Sequence, residues 1–238
     1  MIIAATSDLH TPAYYELFLK SLDMLQTSPD LFLLAGDIVE RGTLEEEIKN
    51  FEKVSNALFG KISCPIIAVF GNTEFDQYRE EIKSKFKNIR FLDDEGIIIN
   101  VKGTTISIFG TTGALDEPTR WQKIHRPEIE KIYKERYILA ENFFKRTQGF
   151  KILLSHYAPT YKTLEGENPF IYKNLGSRYW ENLMIKKYID LAIHGHAHNG
   201  TRFAWVNSTP VFNVALPLNK SIVLIDTEKI KPGLTQFL

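Results

Sequence analysis

The chain has a single cysteine, Cys64, among its 238 residues, so no disulfide can close within it. Cys64 precedes Pro65 at the entrance to an apolar run and reads as a small buried thiol. Neither sign of charge is in excess: 29 Lys and Arg balance 29 Asp and Glu, for a formal net charge of zero. No overall field therefore draws the protein to nucleic acid or to an anionic membrane, although a local basic groove would be compatible with that balance. No apolar run reaches the length of a membrane-spanning helix. Internal repeats, low-complexity tracts and linker-like stretches are absent too, which leads to the expectation of one domain over residues 1–238. The opening Met1-Ile2-Ile3-Ala4-Ala5 has no basic leader and turns polar too soon for a signal peptide, so a soluble cytoplasmic protein is expected.

What is present is a recurring grammar. Leu31 to Ala35 is an apolar run of strand length that ends in Gly36 and Asp37, as a buried strand delivering a carboxylate to its carboxyl end would. Four other runs do the same. Ile2 to Ala5 leads to Asp8 and His10, Ile66 to Phe70 to Gly71-Asn72, Ile152 to Leu154 to Ser155-His156, and Leu191 to Ile193 to His194-Gly195-His196-Ala197-His198. In open α/β sheets that carboxyl edge is where ligands bind.

Between these runs the period changes to that of helices. Tyr15, Phe18, Leu22 and Leu25 recur at steps of three and four, and Thr11-Pro12 reads as the cap and first position of their helix. Thr43 to Glu46 has the form of a capping box ahead of Leu44, Ile48, Phe51 and Leu58. Phe75, Tyr78, Ile82 and Phe86 mark a third helix; within the stretch Asp116 to Gln148, Ile129 to Phe144 after Pro127 mark a long one, preceded by a Trp121 to His125 loop near the mouth of the site. Lys102-Gly103 joins two strands in a hairpin that opens a second sheet, with expected partners at Thr209 to Val214 and Ser221 to Ile225 and no helix between these last two. Tyr161 to Tyr179, a polar and aromatic loop after His156, is placed to select substrate, or is simply surface.

Two divalent ions a few Å apart need a shared anionic bridge flanked by hard oxygen or imidazole ligands. Asp8-x-His10 offers a carboxylate and an imidazole on one side of an extended chain, and His196-x-His198 repeats that spacing. Asp37 is then the natural bridge, with Asn72 and His156 completing the set of ligands around the second ion. Taken singly, each has a plainer reading: Asp8 as a helix cap, Asn72 as a turn former, His156 as a satisfied core histidine. Their joint occurrence at strand ends favours the metal site.

The ordered set Asp8-x-His10, Gly36-Asp37-x-x-Glu40-Arg41, Gly71-Asn72-Thr73-Glu74, Ser155-His156 and Gly195-His196-Ala197-His198 resembles the calcineurin-like metallophosphoesterase superfamily. The resemblance implies an α/β fold, a four-layer α/β/β/α sandwich of two mixed β-sheets flanked by helices. It implies that Asp8, His10, Asp37 and His198 hold one divalent ion and Asp37, Asn72, His156 and His196 the other. The ions would be manganese, or iron, zinc, nickel or cobalt, since such ligands accept them all. A water activated to hydroxide by both ions would hydrolyse a phosphodiester or an activated phosphomonoester.

Two departures matter. Glu40 stands where Asp is common, at a position that supports the turn, and Arg41 resembles an arginine that contacts phosphate in some members; otherwise it pairs with Glu40 or Glu45 on the surface. Thr73 stands where many members carry a histidine that assists the leaving group, and threonine is no general acid near neutral pH. His125 and His194 are the candidate substitutes, His194 also reading as a support behind the ligands. Rival expectations are a nuclease of the same superfamily, disfavoured by the balanced charge, and a non-catalytic metal-binding scaffold. A small phosphoester is the expected partner, with no membrane and an open oligomeric state. A metallo-β-lactamase-like or amidohydrolase pattern would place its His-rich motif early, whereas here His-x-His comes last.

Overall fold

The structure, a computed structural model, describes residues 1–230. Strands β1 (Ile2–Thr6), β2 (Leu31–Ala35), β3 (Ile66–Val69) and β4 (Arg90–Leu92) run parallel, and β11 (Val223–Asp226) pairs antiparallel with β1 in the order β11-β1-β2-β3-β4. A second sheet runs β5-β6-β7-β8-β10-β9, built from β5 (Glu95–Val101), β6 (Thr104–Thr111), β7 (Phe150–Ser155), β8 (Leu191–His194), β9 (Phe203–Val206) and β10 (Thr209–Asn213). Its centre is parallel and its two outer pairs, β5 with β6 and β10 with β9, are antiparallel.

Side-chain alternation sorts the core into layers. Ile3, Ala5, Leu33 and Ile67 of the first sheet meet Ile108, Ile152, Leu154 and Ile193 of the second. The opposite face of the first sheet, with Phe32, Leu34 and Ala68, is covered by α1 (Tyr15–Asp23), α2 (Leu44–Phe59) and α3 (Arg79–Lys85). Phe109, Leu153 and Val211 on the outside of the second sheet take α5 (Ile129–Arg146) and α6 (Glu181–Ile185). The result is two mixed sheets flanked by helices. Among the described residues no helix is long and apolar enough to cross a membrane.

Several sequence expectations hold and others change. Thr43 and Glu46 form the capping box of α2, and Lys102 and Gly103, at φ 51° and 83°, turn the hairpin between β5 and β6. Helix α1 begins only at Tyr15, because the backbone of Thr11 pairs with the loop after β2: its N–H donates to Ile38 O and its carbonyl accepts from Glu40 N. Trp121 to His125 is helix, not loop. Thr119 and Gln122 form a capping box for α4 (Arg120–His125), a signal present in the sequence. Ser221 to Ile225 joins the first sheet rather than the second. The short helix α7 (Leu216–Asn219) and Lys220 at φ 59° carry the chain across, and Ile225 lands in the core between the sheets.

Candidate metal centre

Parallel strands β1, β2 and β3 of one sheet and β7 and β8 of the other end on a shared edge, and five loops meet there. Main-chain bonds continue past the strands: Asp8 N donates to Gly36 O and His10 N to Asp37 O, each at 3.0 Å. Ser7 N to Val214 O, at 3.2 Å, and Leu216 N to Ser7 O, at 3.0 Å, tie this edge to the second sheet. Asp8 and His10 are not extended, as the Asp-x-His spacing suggested. Their φ angles are 57° and 41°, and Asp37 and His196 share the left-handed region at 49° and 69°. Four non-glycine residues in that sparsely populated region mark a place where surrounding structure overrides local preference. The backbones also approach closely: a Cβ on Gly71 would sit 2.0 Å from Asp37 Oδ1, and one on Gly195 2.4 Å from Asp8 Oδ2.

Two triads of ligand-type atoms result, Asp8, His10 and His198 in one and Asp37, His156 and His196 in the other, each with its atoms within 4.8 Å of one another. Asp37 Oδ2 faces both, 3.7 Å from His10 Nε2 and 3.4 Å from His156 Nε2. Asn72 Oδ1 lies 3.0 Å from His156 Nε2. The far sides of these groups are held by other residues. Asp8 Oδ2 accepts from Ser7 Oγ at 2.5 Å and His196 N at 2.9 Å, leaving Oδ1 toward His198, 3.0 Å away. His156 Nδ1 donates to Ala35 O at 2.9 Å, and His10 Nδ1 faces Glu40 Oε2 at 3.1 Å. Both contacts turn Nε2, with its lone pair, into the site.

The charges agree with that geometry. Burial opposes ionisation of Asp37, but the imidazoles of His156, His10 and His196 hold it well below the carboxylate range; burial likewise opposes the charge on Asp8, and His198 and His156 together outweigh it, so its pKa is lowered. Burial works against the charge on His156 too, yet Asp37 raises it to about 9. Burial, then His156, drops His196 to about 3, so it stands as a neutral imidazole. Carboxylates and imidazoles crowded so that some must take up protons form a donor set that could hold a hard or borderline divalent cation, which would compete for those lone pairs.

The structure also places residues that the sequence left ambiguous. Thr73 donates its N–H to Asp37 Oδ1 at 2.9 Å and its hydroxyl to Val39 O at 2.7 Å. His194 is buried, its Nδ1 against Gly195 O at 2.7 Å and its Nε2 against Thr163 Oγ1 at 2.8 Å, and burial lowers its pKa to about 4. It supports the loop and does not open on the site. His125 is exposed and packs on the Trp121 ring. Arg41 pairs with neither Glu40 nor Glu45. Its Nη2 donates to Asn72 O at 2.8 Å, and its guanidinium lies over Phe75 and Trp121, at 5.0 and 5.7 Å. Glu74 was quoted in the motif without a role. Its carboxylate accepts four N–H bonds, from Asp37, Ile38, Val39 and Gly71, stapling the loops after β2 and β3 together.

A family model described as calcineurin-like phosphoesterase matches residues 1–200. No curated protein sequence matches the chain. Among solved structures, TT1561 of Thermus thermophilus is similar at 17% identity and TM-score 0.66, over 97% of this chain and 96% of that one. Phosphopantetheinyl hydrolase from Mycobacterium tuberculosis is similar at 14% identity and TM-score 0.65, over 90% and 88%. A putative 5′-nucleotidase from Staphylococcus aureus is similar at 15% identity and TM-score 0.52, over 89% of this chain and 48% of that one. At these identities the likeness is one of fold.

Proposed function

The chain belongs to the calcineurin-like phosphoesterase family, and from that premise we propose that it is a metal-dependent hydrolase of a phosphodiester or an activated phosphomonoester. The observation that carries this reading is Asp37 Oδ2, set between an imidazole of each triad at 3.7 and 3.4 Å. Asp8, His10, Asp37 and His198 would hold one divalent cation, and Asp37, Asn72, His156 and His196 the other. Manganese is the first candidate, with iron, zinc, nickel and cobalt also suited to these oxygen and nitrogen donors. Two cations bound there supply the charge that draws a water toward hydroxide at neutral pH and offsets charge growing on phosphoryl oxygens.

The protein's own groups do the rest. Ser7, Ala35 and Glu40 aim the ligand atoms, as argued above. The Arg41 guanidinium, stacked on two rings and without an ion-pair partner among the described residues, is held beside Asn72 where a phosphoryl oxygen would lie. Thr73 spends its hydroxyl proton on Val39 O, and His194 is enclosed, so the leaving group takes a proton from solvent or departs as an anion. That favours esters with good leaving groups. The test is a metal-supplemented screen over aryl monoesters, aryl diesters, cyclic nucleotides and nucleic acids, with elemental analysis of the same sample. Aryl diesters are expected to turn over, and Asp37→Ala to lose both turnover and metal. A metal-loaded protein that cleaves no phosphoester yet retains a stable protein partner would replace this reading with that of a scaffold.

A further inference from the structure

A cavity of about 290 Å³ opens beside Asn72 and His196, walled by α4, the start of α5 and the loops after β3, β6 and β7. Its charge is unevenly available. Four arginines line it, but Arg79 is paired with Asp93 at 2.8 Å and Asp76 at 3.0 Å, Arg126 with Asp76, and Arg136 with Asp94 at 2.8 Å. Only Arg41, next to Asn72, lacks such a partner among the described residues. The cavity therefore offers a cation for one phosphoryl group at its metal end and none for a second phosphate farther in.

The remaining wall is aromatic and donor-rich. Phe75, Trp121, Tyr133 and Tyr157 present rings to it. Thr112, 5% exposed, has a buried hydroxyl with no hydrogen-bond partner. Tyr157 OH accepts from Gln122 Nε2 at 3.2 Å, which leaves its own proton to donate. A buried hydroxyl left unpaired costs free energy that an acceptor on a ligand recovers. An alkyl chain offers no acceptor, and a phosphate would bring charge to a wall already neutralised. A flat heterocycle with nitrogen or carbonyl acceptors on its edge satisfies both the rings and the hydroxyls. Building on the phosphoesterase reading, we propose that this cavity is the subsite for the organic substituent of the ester, a neutral nitrogen heterocycle of the nucleobase type.

Two esters with the same leaving group and the same charge test it: the p-nitrophenyl ester of thymidine 5′-phosphate and p-nitrophenyl butyl phosphate. The wild type is expected to favour the nucleoside ester in kcat/KM by roughly tenfold or more, and Thr112→Val to narrow that preference by roughly tenfold, the size of one hydrogen bond. Equal kcat/KM for the two esters, or an unchanged preference in Thr112→Val, overturns the proposal. A binding measurement separates it from the parent reading. Adenosine added to metal-depleted protein is expected to quench tryptophan emission, and Trp121→Phe, at an exposed position that keeps a ring, to lose that response. Quenching that persists in Trp121→Phe, or none in the wild type, refutes the subsite. If no ester is hydrolysed under any metal while adenosine still quenches through Trp121, the hydrolase reading falls and the subsite stands.

Discussion

Replacing Glu40 by alanine should weaken the binding of one divalent cation and spare the other. Glu40 Oε2 lies 3.1 Å from His10 Nδ1, so it accepts that N–H, fixes the tautomer with its lone pair on Nε2 and makes that nitrogen a stronger donor. Removing such a support typically lowers metal affinity by about 10- to 100-fold, or roughly 1.4–2.7 kcal/mol. The Glu40 side chain is 52% exposed and that of His10 13%, so water screens the pair and takes over as acceptor once the carboxylate is gone. The effect should therefore lie near the tenfold end, with Glu40→Gln, which keeps a neutral acceptor, between alanine and wild type. Among the described residues this carboxylate has no other hydrogen bond or ion pair, and the Glu40 N–H still donates to Thr11 O at 3.1 Å. Stability in urea should then move by no more than the ~0.5 kcal/mol usual for a surface substitution. Competition with a chromogenic chelator resolves the two binding steps: one dissociation constant should rise by about tenfold and the other stay in place. Equal losses at both steps, or none at either, would refute the assignment of His10 to one cation with Glu40 behind it.

Glu74→Gln turns an amide N–H toward two of the four N–H groups that the carboxylate now accepts, at a cost of ~1–3 kcal/mol each. Burial and then the charge of Asp37 push Glu74 up to about 7, so removing its charge returns part of that; a net loss of about 2 kcal/mol in urea unfolding is expected, and an unchanged midpoint would show that the loops hold without it. Arg41→Ala should raise KM or lower kcat while the metal content stays the same by elemental analysis; unchanged kinetics would remove Arg41 from phosphate contact. Gly71→Ala puts a Cβ 2.0 Å from Asp37 Oδ1, so the alanine protein should lose metal and stability together, and full metal occupancy would contradict the close approach. Thr73→His should help esters with poor leaving groups, and a uniform loss across leaving groups would show that the hydroxyl bond to Val39 O matters more than a new acid.

The sequence by itself determined most of the layers and named the candidate ligands that the fold gathers into two triads. Apolar runs of strand length in Ile2–Thr6, Leu31–Ala35 and Ile66–Val69 have few ways to be buried other than as central parallel strands, and a glycine followed by a carboxylate or an amide marks where such strands end. Hydrophobic period placed α2 and α5 in the same way, with a capping box marking the start of α2, because these signals act within a few residues of one another. Tertiary structure decided what depends on distant partners. The spacing of Asp8 and His10 suggested a shared face of an extended chain, yet φ angles of 57° and 41° exist because Asp8 N and His10 N are bound to the loop after β2. Ser221 to Ile225 was expected in the second sheet and lies in the first, since a strand's pattern does not say which edge it joins; the buried side of Ile225 and the turn at Lys220 set it on β1. Glu40 and Glu74 look like surface carboxylates in one dimension. Only when the loops after β1, β2 and β3 are brought together does one of them face His10 and the other gather four backbone N–H groups, because a hydrogen bond is fixed by distance and angle in space and leaves no period in the chain.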